Sequence, residues 1–349
     1  MPSLLLNFDI FCVIICVLGV FIMFNLTFDE FNSIDFKLFE FNPTVRRSGL
    51  SFVVADPSIL PPDKSPNGKW NMFCHTFFGV ERYTSSDCIT WNRLGIIATR
   101  AMRPNINYID GKYYLYYERV LPFFKKALTV IGAKKWHSEI YLITSDNLVN
   151  WSKPRPIIQD TTDYTHDKMG VSISNPFLLE IGSKKRLYFS AGQTFIKDCG
   201  FSEPTYISYA ESDSLTEGFT PLDAPILSPD KDNKYLNLCC GCLKVYRLKD
   251  AYIGLQNGIY LDEQNRSHSS IMLLKSQDGV KFEFVKPLIE PQLCKNNKRW
   301  MAQFVYACCL NYDKDSHSFF IHFNARNTSN IIFGREHIGY AIGKIGEND

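Results

Sequence analysis

One phrase returns four times along this 349-residue chain. A strand-like run ends in Ser-x-Asp or Ser-Asp, a few residues pass, and an aromatic follows. It reads Tyr-Thr-Ser-Ser-Asp-Cys-Ile-Thr-Trp at 83–91 and Leu-Ile-Thr-Ser-Asp-Asn-Leu-Val-Asn-Trp at 142–151. Weaker copies are Tyr-Ala-Glu-Ser-Asp-Ser-Leu-Thr-Glu-Gly-Phe at 209–219 and Leu-Lys-Ser-Gln-Asp-Gly-Val-Lys-Phe at 274–282. Aligned on Asp87, Asp146, Asp213 and Asp278, the copies stand 59, 67 and 65 residues apart. A strand-rich unit of that length cannot bury both its faces alone, whereas several arranged radially cover one another. The expected fold class is therefore all-β, a β-propeller, with an axial pocket where the inner strands converge.

Residues 51–349 divide into five such units, so five blades are expected. The first opens at 51–60. The second opens at 102–106 and turns at Asp110-Gly111, a strong hairpin signal between alternating aromatics. The third opens at 171–177, the fourth near 239–246 and the fifth near 302–306. The fifth ends after its third strand, at 337–343, and lacks an outer one. Residues 34–41, within a linker at 29–50, can supply it from the other end of the chain and close the ring without an open edge. A basic insertion at 123–135, with Lys125, Lys126, Lys134 and Lys135, reads either as a solvated loop or as a lid over the second unit.

The net charge of +2 gives no electrostatic case for nucleic acid as a partner, and no glycine-rich phosphate loop implies a nucleotide cofactor. Eleven cysteines are present. Cys239, Cys240, Cys242, Cys308 and Cys309 fall in apolar strand-like runs, which points to reduced, buried thiols in a chain too large to need staples. A zinc site at Cys239–Cys242 would lack a second ligand pair, so no metal is expected. Residues 10–24 form an unbroken apolar run. Residues 1–28 are therefore read as a hydrophobic segment and membrane anchor, the alternative being a start at Met23 and a soluble cytoplasmic protein. Lys37, Arg46 and Arg47 follow the run, which keeps the body cytoplasmic. The tripeptides at Asn25, Asn150, Asn265 and Asn327 would instead suit a glycosylated exterior.

In a four-stranded blade, the start of the inner strand and the connection between the second and third strands lie on one face. The inner-strand starts supply Asp56, Arg103, Asn105 and Asn175. The connections supply His75, Glu118, Gln193 and Glu203, with Trp136 or Tyr206 available for stacking. Asp56 and Glu203 are the candidate catalytic pair, because glycosidic cleavage needs one carboxylate to activate water or attack and another to protonate the leaving oxygen. Glu118 is a rival acid. Arg103, Asn105, Asn175, His75 and Gln193 are candidate substrate-binding residues.

The run Ala55-Asp-Pro-Ser-Ile-Leu, with Trp70-Asn-Met-Phe and Ser86-Asp-Cys-Ile-Thr-Trp, resembles the five-bladed propeller glycosidases of the arabinanase and β-xylosidase type (glycoside hydrolase family 43), with the invertases and levansucrases as relatives. The resemblance covers 51 to about 345. It implies that Asp56 is the base or nucleophile. In that superfamily a second aspartate sits in an Asp-Pro of the third blade; here the matching motif is Asn175-Pro176. The expected general-acid glutamate is absent from Cys239-Cys240-Gly241, which leaves Glu203-Pro204 as the candidate. The expected function is a glycoside hydrolase-like enzyme acting on an oligosaccharide. The alternatives are a non-catalytic glycan-binding propeller in a polysaccharide pathway and a protein-interaction propeller.

Overall fold

The computed structural model describes residues 24–38, 44–46, 53–120, 135–158, 162–292, 300–330 and 333–345. Most of the apolar run at 10–24 and nearly all of the basic insertion at 123–135 lie outside them. The five expected blades are present. Blade 1 is Val54–Leu60, Trp70–Thr76, Gly79–Ser85 and Asn92–Thr99; blade 2 is Met102–Ile109, Lys112–Val120, Trp136–Ser145 and Arg155–Ile158. Blade 3 is Ile173–Ile181, Lys184–Ala191, Tyr206–Ser212 and Thr220–Pro221, and blade 4 is Cys239–Arg247, Tyr252–Leu261, Ser267–Ser276 and Glu283–Ile289. Blade 5 has Phe304–Asp313, Ser318–Arg326 and Glu336–Lys344. Its outer strand is Lys37–Leu38, paired antiparallel with Ile342 and Ala341, so the N-terminal strand does complete the last blade. Each inner strand touches the next around the axis, and the first touches the last.

The hairpin at Asp110-Gly111 has φ of +50° and +79°, as a two-residue turn that matches strand twist requires. The recurring phrase forms the turn into the outer strand. In blade 1, Asp87 Oδ1 accepts the amides of Ile89 and Thr90 at 2.9 and 2.7 Å. In blade 4, Asp278 Oδ1 accepts those of Val280 and Lys281 at 2.8 and 2.9 Å. The sequence register needs a correction in the other two blades. Asn147, not Asp146, accepts the amides of Val149 and Asn150 at 2.9 Å each. Ser214, not Asp213, does so for Thr216 at 3.1 Å. Asp146 and Asp213 are exposed.

These turns also join the blades. Arg82 donates to Leu148 O, Tyr116 to Leu215 O, Tyr188 to Gly279 O, and His322 to Cys88 O. Each is a side chain of one blade reaching the turn of the next, and the last runs from blade 5 to blade 1. The apolar core lies between blades, where facing sheets bury residues such as Phe73, Leu115, Tyr188 and Phe323.

A short helix, Phe28–Asn32, precedes the closing strand, with Thr27 and Glu30 capping it reciprocally. Phe24, Leu26, Phe28 and Phe31 are buried in the core, Phe24 edge-on to Phe319 at 5.2 Å. Thus the end of the apolar segment, from Phe24 on, belongs to the propeller body. No helix among the described residues is long and apolar enough to cross a membrane. Cys74, Cys88, Cys199, Cys239, Cys240, Cys242, Cys308 and Cys309 are all free and buried. Among the described residues, no group of three or more His, Cys, Asp and Glu is placed to hold a metal ion.

Candidate active site

Every inner strand carries a bulge at the same height, two residues opposing one on the second strand. The bulged pairs are Asp56-Pro57, Arg103-Pro104, Asn175-Pro176, Cys240-Gly241 and Tyr306-Ala307. Proline has no amide to lose from the ladder, so it suits an unpaired position. Asp56, Arg103, Asn175 and Gly241 have φ of +53°, +50°, +50° and +61°. A left-handed non-glycine residue costs on the order of 1–3 kcal/mol and persists only where its surroundings hold it. At Gly241 a Cβ would lie 2.2 Å from Asn257 O, so only glycine fits.

The bulges re-aim these residues toward the axis, where Asp56, Arg103, Asn175, Gly241, Tyr306 and Ala307 line one cavity of about 330 Å³. The connection between the second and third strands of blade 3 supplies Glu203, the facing ends of those strands in blade 5 supply Arg326 and Glu336, and Trp136 forms part of the wall. Of the residues predicted from sequence, Asp56, Glu203, Arg103, Asn175 and His75 are brought together here.

Three are not. Asn105 lies just past the Arg103-Pro104 bulge, which interrupts the alternation of the strand, and sits lower on it. It lines a second cavity of about 250 Å³ at the opposite mouth, and its Oδ1 accepts the amide of Leu178 at 2.9 Å. Glu118 lies behind the cavity, fully buried, with Oε2 2.6 Å from Arg103 Nη1. Gln193 is held away by Ser172 Oγ at 2.9 Å and by Asp167, which accepts its amide at 2.5 Å.

The sequence reading missed Glu336 as a third cavity carboxylate. It starts the third strand of blade 5, just as Glu203 precedes that of blade 3. Asn324 was missed as well. Its signal is the period-two line His322, Asn324, Arg326 in a strand buried throughout. Asn324 Oδ1 accepts the amide of Asp56 at 3.1 Å, while its Nδ2 donates to Glu336 Oε2 at 3.2 Å. Arg326 Nη1 donates to Glu336 Oε1 at 3.2 Å.

The two predicted carboxylates sit in opposite electrostatic settings. Burial pushes Asp56 up, but the hydrogen bond from His75 Nδ1 at 3.1 Å and the charges of His75, Arg103 and Lys244 outweigh it, leaving the carboxyl below its usual range. Burial pushes Glu203 up to about 8, with Arg103 opposing and the charges of Glu336 and Asp56 adding. Burial likewise raises Glu336, opposed by Arg326. At neutral pH the cavity therefore presents an ionised Asp56 and a protonated Glu203, the separation that acid–base chemistry with two carboxyls requires. Tyr306 and Ser202 line the same cavity, and their buried hydroxyls have no hydrogen-bond partner among the described residues. Buried polar atoms of that kind mark places for a ligand or ordered water.

No protein-family profile matches the chain, and no curated protein sequence matches it. Solved structures do. An N-acetylgalactosamine deacetylase from F. plautii, in complex with blood group B trisaccharide, superposes with a TM-score of 0.62 at 13% identity, over 88% of this chain and 95% of that one. A thermostable family-43 glycoside hydrolase gives 0.59 at 12% identity, over 88% and 96%. An α-L-arabinofuranosidase from Podospora anserina, in complex with cellotriose, gives 0.59 at 11%, over 89% and 97%. The fold is that of the five-bladed propeller glycoside hydrolases, as the resemblance of the Asp56 motif implied.

Proposed function

We propose that this chain is a glycan-processing enzyme that cleaves a glycosidic bond in its axial cavity, with Glu203 as the acid and Asp56 as its anionic partner. The observation that carries the reading is the contrast between these two carboxyls in one cavity, Glu203 holding its proton to about 8 and Asp56 shedding its own early. The fold neighbours, glycoside hydrolases among them, give further support.

In this reading Glu203 gives its proton to the leaving glycosidic oxygen as the carbon–oxygen bond breaks. Asp56 either takes a proton from the water that adds to the anomeric carbon, or attacks that carbon and is released by water later. Both routes consume one water: in the second, Glu203 regains its proton from that water, and in the first the proton ends on Asp56 and exchange with solvent restores both carboxyls. His75 fixes the orientation of Asp56. Asn175 stands at the cavity wall where it can receive sugar hydroxyls, and Trp136 supplies an apolar wall.

The test is release of reducing ends from a panel of oligosaccharides and aryl glycosides. Glu203→Gln and Asp56→Asn should each lower turnover by roughly 10²–10⁴-fold. Full activity in either variant would refute the assignment. A second reading, glycan binding without cleavage, is favoured by the amide of Asn175 where the resemblance expects a carboxylate. Saturable binding of a panel member that is never cut would decide for it.

A further inference from the structure

Opposite the five bulges stand Cys74, Tyr117, Phe189, Gly258 and Asn324. Only the last is an amide. It spans two groups of the cavity, the bulged amide of Asp56 and the carboxylate of Glu336. Glu336 is in turn held by Arg326, whose guanidinium is 7% exposed and also bonded to the carbonyls of Thr328 and Asn330. Arg326, Glu336, Asn324 and Asp56 thus form one chain of hydrogen bonds from blade 5 into blade 1. Burying a carboxylate this way is costly unless it is paired. Nothing in ring closure calls for it, since His322 and the strand Lys37–Leu38 already close the ring.

We infer that Glu336 is the third carboxylate of the site, a positioning residue that fixes the Asp56 backbone through Asn324 and acts by its charge on Glu203. The inference rests on the proposed roles of Asp56 and Glu203 and adds a residue to them. Glu203 is faced by Arg103 from blade 2, Asp56 from blade 1, and Glu336 and Arg326 from blade 5, with Tyr306 and the thiols of Cys199 and Cys239 alongside. Of these, Glu336 and Asp56 are the acidic groups. Removing the Glu336 charge leaves Arg326 uncompensated as well, and both changes favour the ionised form of Glu203.

The experiment follows the carboxyl carbon of Glu203 by NMR in full-length protein labelled at glutamate, the resonance being assigned by its loss in Glu203→Gln. In Glu336→Gln the Glu203 midpoint should fall by about one pH unit or more. In Glu336→Asp, which keeps the charge, it should stay near the unsubstituted value. Thermal melts of each variant identify any that fail to fold, and Asn324→Ala provides a second route. That variant should lower turnover about tenfold while leaving the Glu203 midpoint in place. An unmoved midpoint in folded Glu336→Gln, or equal shifts in Glu336→Gln and Glu336→Asp, would overturn the inference. Because the titration needs no substrate, this outcome is separate from failure of the hydrolytic reading, which turnover of Glu203→Gln decides.

Discussion

Nε2 of His322, on the second strand of the last blade, donates to the carbonyl oxygen of Cys88, in the outer turn of the first, at 2.9 Å. The imidazole is fully buried, edge-on to Trp91 and stacked on Tyr340. Burial holds it neutral, its pKa down at about 4 against an ordinary 6.5. A group depressed in this way binds a proton more readily in the unfolded chain. Its contribution to stability is whole above pH 6.5 and is lost as pH falls toward 4. Denaturant midpoints measured across that window should drop with acid. In His322→Phe, which keeps the ring but not the bond, this part of the acid dependence should vanish and the neutral-pH stability should fall by about 1–3 kcal/mol.

Turn register gives a pair of neighbouring substitutions with different outcomes. Asn147→Ala removes the acceptor of two backbone amides and should cost about 1 kcal/mol. Asp146→Ala, one residue earlier and exposed, should change stability by less than about 0.5 kcal/mol. Urea melts of the two variants check this, and equal effects would restore the register read from the Ser-Asp dipeptide.

Glu203 should show the opposite pH signature from His322. Its folded-state pKa is raised to about 8 from 4.5. The stability this carboxyl allows is present below pH 4.5 and is lost as pH rises toward 8. Glu203→Gln, though it loses turnover, should therefore raise the melting temperature at pH 8 relative to the unsubstituted protein, with little gain at pH 4. Calorimetry at the two pH values is the measurement.

Arg103 and Glu118 form a buried pair behind the cavity. Removing Glu118 takes from the buried Arg103 its hydrogen-bonded partner and strongest countercharge, so Glu118→Gln should cost roughly 3 kcal/mol. Replacing both, as Arg103→Met with Glu118→Leu, should be less destabilising than Glu118→Gln alone. Chemical denaturation of the single and double variants tests the coupling.

The ring was legible in the chain because its repeating signal is local. A Ser-x-Asp turn binds its own backbone, so the same residues must return wherever the same turn does. The one-residue slip at Asp146 and Asp213 arose because Asn147 and Ser214 perform the same hydrogen bonding with less conspicuous side chains. The inner-strand starts were legible as well, and they located Asp56, Arg103 and Asn175, though not the bulges that turn these residues toward the axis. Counting Asn105 among the inner-strand starts misplaced it, since a position near the start of a strand does not fix the depth at which a residue meets the axis. Glu118 and Gln193 were misread because a strand-end position does not reveal whether a neighbour captures the side chain first. Glu336 stayed hidden at the far end of a long connection, where only its partners Asn324 and Arg326 distinguish it from a solvated glutamate.

The strand Lys37–Leu38 is made before any of the five inner strands, and its partners Ile342 and Ala341 only after the other four blades. Four blades can collapse as they emerge, but the fifth lacks its margin until the strand that precedes blade 1 meets it. Chain-closure entropy rises only slowly with the length enclosed, so this wait costs little free energy. It does cost time, during which the last-made sheet offers a bare edge to other nascent chains. Expression of this protein should therefore depend on what shields that edge during synthesis more than on the final strength of the clasp.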